Sequence, residues 1–291
     1  MKIKQWFLLL MTLALFLVLV GYRRLDAWQT DTQAPRIQIP EEGTIEYSLK
    51  ESRTALLEGV KAVDDRDGNV TDTLVVENIR LVDESGILEV TYSAMDRSNN
   101  VAKLTCEVLC SDYERPRFSL DQPLLYFENY RFDILENIHA EDILDGDIQH
   151  RIRATMQSGG TITDAGVHWV LFQVTNNLGD TVQLELPVEV VAGAGFTADL
   201  QLSEYLIYLP VGADFNPTHY LSSFTCKGET VSLEDRIPKN YTLQTTGEVD
   251  TETAGVYVVN YTMSYVIRNE TNSEYDQIYN GYSKLVVVVE G

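Results

Sequence analysis

The sequence predicts an all-β chain, three tandem antiparallel β-sandwiches behind one N-terminal hydrophobic helix, and three observations carry that prediction. An acidic motif is written twice, AVDDRDGNVT at Ala62–Thr71 and AEDILDGDIQ at Ala140–Gln149. Each copy is followed by a glycine-led stretch of alternating polarity, GILEVTYSAMDRSNNVAKLTCEV from Gly86 and GVHWVLFQVTNNLGDTVQLELPV from Gly166, and the two align without a gap. Between these, short runs rich in Val, Ile, Tyr, Leu and Thr are bounded by Gly, Asn, Asp or Pro and show no helical period, which is the pattern of strands in a sandwich.

The chain opens with MKIKQWFLLLMTLALFLVLVGYRR, apolar from Trp6 to Val20 except at Thr12. Counted from Ile3 to Tyr22, with Lys2 and Lys4 snorkelling, the run just reaches the ~20 residues that a bilayer crossing needs. Neither LVGY nor LDAW offers the small residues of a signal cleavage site, and no cysteine follows for lipid attachment. Residues 1–24 therefore read as a signal-anchor that leaves the bulk of the chain outside the cell membrane, and residues 25–33 as a linker. Arg23 and Arg24, on the far side of the run, count against that orientation. Cleavage would make the protein secreted.

Residues 34–110 form the first predicted sandwich, with Leu88, Val90, Tyr92 and Ala94 inward on one strand and Ala102, Leu104, Cys106 and Val108 inward on the next. Residues 111–192 form the second, in which His168, Val170, Phe172 and Val174 take the first set of places and Val182, Leu184, Leu186 and Val188 the second. Residues 193–291 are a divergent third copy. Its glycine-led strand is Gly255, Tyr257, Val259, Tyr261 and Met263, its last strand is KLVVVVE, and between them an insertion around Val266–Tyr279 reads as a longer loop or a lengthened strand pair. TCKGETV replaces the acidic loop there. Of the two linkers, SDYER at Ser111–Arg115 is expected to be held by charge, and AGAG at Ala192–Gly195 to bend.

Composition narrows the function. Leaving out Lys2, Lys4, Arg23 and Arg24, the chain carries 18 basic against 44 acidic side chains, a net charge of −26. Such a surface repels nucleic acid and anionic lipid headgroups. Cys106 and Cys110 lie ~13 Å apart on one extended strand, too far for a disulfide, and Cys226 sits in another domain. The three read as small apolar core or edge residues. Four scattered histidines, without metalloprotease, nucleophile-elbow or phosphate-loop motifs, predict no enzyme.

The APRI start, the AVDDRDGNVT loop, the VDESG turn and VTYSAMDRSNN together resemble the bacterial Ig-like repeat family known from a pesticidal crystal protein and many surface proteins. The resemblance covers residues 34–192 well and 199–290 more loosely. It implies three Ig-like sandwiches used as spacer, stalk or adhesion modules, and it implies no catalytic residues.

In an Ig-like sandwich the acidic loop and the loop before the last strand meet at one end. This gathers Asp64, Asp65, Asp67, Asp96 and Asn99 in the first unit, and Asp142, Asp145, Asp147, Asn176 and Asp180 in the second. Those oxygens suit calcium, with Asp112 and Glu114 of the linker completing the second set. The competing reading is turn chemistry, with each aspartate bonding its own backbone beside a left-handed glycine. No other cofactor is implied. Trp169, outward where the first unit has Glu89, is a candidate contact for a domain or partner. Tyr265, Asn269, Asn272, Tyr275 and Tyr279, around the third unit's insertion, suit a surface protein or glycan ligand, or cross-strand pairing alone. The expected function is a membrane-anchored, surface-displayed binding stalk, with a non-adhesive role in envelope polysaccharide or protein export, or a module accompanying an enzyme, as alternatives.

Overall fold

The computed structural model describes residues 2–29, 31–40, 45–128, 130–156, 162, 164–193, 196–234, 236–268 and 276–291. Helix α1 covers Lys2–Gln29, where no turn residue interrupts the apolar run; Thr12 returns its hydroxyl to the Leu8 carbonyl at 3.1 Å. Its described side chains from Trp6 to Val20 are exposed, Trp6 at 72%. Among the described residues no helix is long and apolar enough to cross a membrane.

Twenty-one strands follow among the described residues, in three sets of seven. The first sandwich holds β1 (Arg36–Gln38), β2 (Ile45–Tyr47), β3 (Lys61–Asp64), β4 (Gly68–Asn69), β5 (Val75–Leu81), β6 (Ile87–Met95) and β7 (Val101–Cys110). The second holds β8 (Arg117–Leu120), β9 (Leu125–Phe127), β10 (Ile138–Asp142), β11 (Gly146–Asp147), β12 (Arg153–Met156), β13 (Gly166–Thr175) and β14 (Thr181–Val191). The third holds β15 (Asp199–Leu202), β16 (Leu206–Pro210), β17 (Leu221–Cys226), β18 (Glu229–Ser232), β19 (Tyr241–Thr246), β20 (Gly255–Ile267) and β21 (Gln277–Glu290).

The topology is the same three times. A three-stranded sheet runs β1-β3-β4, β8-β10-β11 and β15-β17-β18, and a four-stranded sheet runs β2-β7-β6-β5, β9-β14-β13-β12 and β16-β21-β20-β19. The fold is therefore three Ig-like sandwiches. They are not purely antiparallel, because the chain crosses between sheets after the first strand of each set, and the second strand then lies parallel to the last.

Inward parity follows the pleat. Leu88, Val90, Tyr92 and Ala94 are buried, as are Val170, Phe172 and Val174. His168, expected in the core, is only half-buried near the start of β13 and bonds the Asp164 carbonyl at 2.8 Å. Tyr92 and Tyr261, each central in its β6-type strand, donate to the carbonyls of Leu56 and Pro217 at 2.9 Å, so each buried ring has its hydroxyl satisfied. Burial pushes the Tyr92 phenol up to about 12. Gly86 enters β6 at φ 84°, with a Cβ there falling 2.4 Å from the Cys110 carbonyl oxygen, so only glycine fits.

The insertion of the third copy is a lengthened strand pair, since β20 and β21 stay in register from Gly255–Val289 to Ile267–Gln277. Its tip, including Asn269, Asn272 and Tyr275, lies outside the described residues.

The chain divides into two compact units, Met1–Tyr113 and Glu114–Gly291. The second contains two sandwiches with a continuous core: Leu206, Val286 and Val288 of the third belong to the same buried cluster as Phe118, Phe172 and Val190 of the second. Lys284, 2% exposed, is ion-paired to Glu189 across this joint. Arg117 reaches Glu290 at 3.1 Å and lies 4.9 Å over the Tyr208 ring. The expected bend at AGAG is thus opposed by packing on either side of it, although Ala194 and Gly195 themselves lie outside the described residues.

Candidate functional site

The acidic loops are tight turns first. In the first sandwich Asp64 Oδ1 accepts the amides of Arg66 (2.7 Å) and Asp67 (2.8 Å), and Gly68 takes φ 74° to close the turn into β4. In the second, Asp142 Oδ1 accepts Leu144 (3.0 Å) and Asp145 (2.9 Å), and Gly146 takes φ 66°. Both loops are then stapled to the turn before the last strand. Asp67 Oδ2 accepts the Arg97 amide at 2.8 Å, and Asp145 Oδ2 accepts the Asn177 amide at 2.7 Å.

What the loops enclose differs. In the first sandwich Asp64 and Asp96 are 4% and 3% exposed and meet Asp31, from the segment behind α1; one carboxylate oxygen from each lies within 4.8 Å of the others. Asp96 accepts the Asn100 amide N–H and its side-chain Nδ2, both at 2.7 Å, and the same Nδ2 reaches the Asp31 carbonyl at 3.2 Å. Asp31 Oδ1 accepts the Gln33 amide at 3.1 Å, while Asp31 Oδ2 is buried with no hydrogen-bond partner. The amides of Asp67 and then Arg66 hold the Asp64 carboxyl below its ordinary range, with a smaller contribution from the Arg66 charge.

In the second sandwich the same place is closed by its own chain. Asn176 stands where Asp96 stands and donates Nδ2 to Asp142 Oδ2 at 2.9 Å. Asp180, standing where Asn100 stands, is gripped by Arg115 through Nε at 3.0 Å and Nη2 at 2.8 Å. Arg151 reaches Asp145 at 2.9 Å. Each buried carboxylate meets an amide or a guanidinium, as buried acids must.

Of the sequence candidates, Asp64, Asp96, Asp142, Asn176 and Asp180 therefore line the two poles, and Asp67 and Asp145 brace them. Asp65 and Asp147 are exposed outside the clusters. Asn99 is a turn residue at φ 65°, and its neighbour Asn100 makes the contacts. Asp112 accepts from Ser48 Oγ (2.6 Å) and the Leu49 amide (3.1 Å) of the first sandwich, and these bonds hold its carboxyl low. Asp31, Asn100 and Arg115 escaped the sequence reading. The signal was the exchange between DRSNN and NNLGD, in which acid and amide trade places.

Among the described residues the third sandwich has no such pole. Cys226 pairs with Glu229 around Lys227 and Gly228, both at positive φ, a two-residue hairpin turn with no acid to aim inward. Its tyrosines form a cross-strand ladder: Tyr241 stacks on Tyr265 at 4.6 Å, Tyr279 follows at 6.4 Å, and Lys227 lies 4.9 Å over the Tyr279 ring. Trp169 is 46% exposed on β13 beside exposed Val167, with Pro187 opposite. His139 pairs with Asp121, and His219 with Asn216, far apart along the chain. Cys106, Cys110 and Cys226 are free thiols, and burial raises that of Cys110 to about 11.

No family model matches the chain, and no curated protein matches it. Solved structures do. CBM51-2 in complex with GlcNAc and INT domains from Clostridium perfringens ZmpB aligns at 13% identity over 88% of this chain and 44% of that one, with a TM-score of 0.22. The M60 catalytic domain with CBM51-1 and CBM51-2 from the same protein aligns at 11% identity over 88% and 43%, TM-score 0.25. Drosophila N-cadherin EC1-3 aligns at 12% identity over 87% and 99%, TM-score 0.28. The chain thus spans under half the length of the two clostridial structures. Similarity at this level assigns neither family nor ligand.

Proposed function

We propose that the chain is a membrane-tethered row of Ig-like modules displayed outside the cell membrane, akin to the bacterial Ig-like repeats its sequence resembles, and that it works by binding rather than catalysis. The observation that carries this reading is the exposed apolar surface of α1 at the head of a strongly acidic β-chain. A helix showing Trp6, Phe7, Leu10, Phe16 and Val18 to its surroundings gains by burial, each such side chain by roughly 1.5–3 kcal/mol. The net charge of −26 beyond residues 1–24 suits a solvated exported domain and opposes nucleic acid as a partner. The partner is a surface protein or glycan, and Trp169 with Val167 is the exposed apolar feature of the sandwiches that best suits one.

A rigid spacer is the second reading, favoured by the shared core and buried Lys284–Glu189 pair that join the last two sandwiches. Both readings are tested on the native protein. Membranes washed in carbonate should retain the full chain with its N-terminus intact; a soluble form beginning near Tyr22–Trp28 would refute the tether. Trp169→Ser should abolish binding on a glycan or surface-protein array if the chain is adhesive. Equal behaviour of parent and variant, with no ligand for either, favours the spacer.

A further inference from the structure

We propose that Asp31, Asp64 and Asp96 form a divalent-cation site, calcium by its chemistry, and that the ion fastens the segment leaving α1 to the pole of the first sandwich. The three oxygens lie within 4.8 Å of one another, and oxygens held ~2.3–2.6 Å from one ion sit no more than about 5 Å apart. All three donors are carboxylates, which suits a hard cation, with water and backbone carbonyls completing a flexible shell. Two further observations point to a ligand. Asp31 Oδ2 is buried without any hydrogen-bond partner, although an ionised carboxylate oxygen in that position demands a donor or a cation. Asp64, 4% exposed, takes the Arg66 and Asp67 amides on Oδ1 and brings a carboxylate oxygen into the cluster. The second sandwich supplies the control within the same molecule. There the buried carboxylates are matched internally, Asp142 by the Asn176 amide and Asp180 by the Arg115 guanidinium. The first pole has an acid, Asp96, in place of Asn176.

Asp31 gives the site its consequence. Asp64 and Asp96 belong to loops already stapled together by Asp67, so the larger change that an ion brings falls on Asp31. Asp31 lies two residues beyond the end of α1, and its side chain enters the cluster from outside the strands. With the ion in place, the route from helix to sandwich is pinned within a few residues. Without it, three like charges repel, and the Asn100 side chain on the Asp31 carbonyl is the described hydrogen bond from the sandwich to Asp31.

The test uses the full chain in detergent micelles, with calcium chloride titrated calorimetrically against an equal ionic strength of potassium chloride, followed by amide hydrogen exchange. One ion per chain is expected, with sub-millimolar to millimolar affinity, the usual range of extracellular modules. Saturation should slow exchange at Gln33 and around Asn100 by about tenfold or more and leave the Asn176–Asp180 turn unchanged. Asp31→Asn lies outside every strand, so the sandwich should stay folded; it should weaken binding at least tenfold and remove the protection at Gln33. Absence of calcium binding overturns the site, as does an equal response to potassium. Binding of unchanged affinity in Asp31→Asn, or protection confined to the second sandwich, overturns the role of Asp31.

Discussion

In the first sandwich Asp96 faces Asp64 as acid against acid; in the second, Asn176 occupies the place of Asp96 and gives its amide to Asp142. The backbone plan beneath is shared, down to the two amides on the first aspartate and the staple from Asp67 or Asp145. One scaffold therefore supports two electrostatic solutions, because the loop backbone is held by Oδ1 of the first aspartate while Oδ2 is left to the chemistry of the pole. A sandwich that carries its own guanidinium is complete as synthesised. One that carries three carboxylates is, on the proposal above, completed by a cation.

The comparison breaks most sharply at Arg115. Arg115→Ala leaves Asp180, 7% exposed, without its cation. Breaking a buried pair costs about 3–5 kcal/mol, and the partial exposure of Arg115 reduces this to about 2–3 kcal/mol. Trp169 is the one tryptophan outside α1, so its fluorescence through a urea titration reports this loss directly. An unchanged midpoint would mean that the guanidinium does not hold the second pole together.

Asp96→Asn gives the first pole the amide of the second. In the absence of divalent cations it should strengthen exchange protection across β6 by roughly threefold to tenfold, since one of three like charges is gone. Weaker protection would show that the acid is stabilising without an ion and that the two poles differ less than their charges imply.

Acid should separate the poles as well. The folded Asp64 carboxyl titrates below its ordinary value of 3.8, so its contribution to stability is fully present above about pH 4 and is lost as pH falls through the lower, folded value. Protection in β6 should decline below about pH 4, and Asp64→Asn should flatten that dependence. A decline already complete at about pH 5 would assign the acid sensitivity to another group.

The smallest effect belongs to the turn itself. Asn99 holds φ 65° where the second sandwich has Gly179 at φ 84°. Asn99→Gly relieves a left-handed conformation that asparagine tolerates and should shift stability by no more than ~0.5 kcal/mol. A larger change, read by the same exchange measurement, would give Asn99 a role that its exposure does not indicate.

The sequence by itself determined the three sandwiches. A period of two in Leu88–Ala94 and Val170–Val174 leaves one arrangement that buries the apolar set, and a one-residue slip would expose all of it. It also marked the ends of both acidic loops, since Asp-Gly fixes a local turn whatever surrounds it. Only the tertiary structure decided what fills each pole. Asp31 and Arg115 come from segments outside the repeat motif, and no local rule connects them to Asp64 or Asp180, more than thirty residues away in sequence. The same holds for the joint of the last two sandwiches. AGAG reads as flexible residue by residue, yet Leu206, Val286 and Val288 pack into the neighbouring core, because burial rewards surfaces that meet in space regardless of the chain between them.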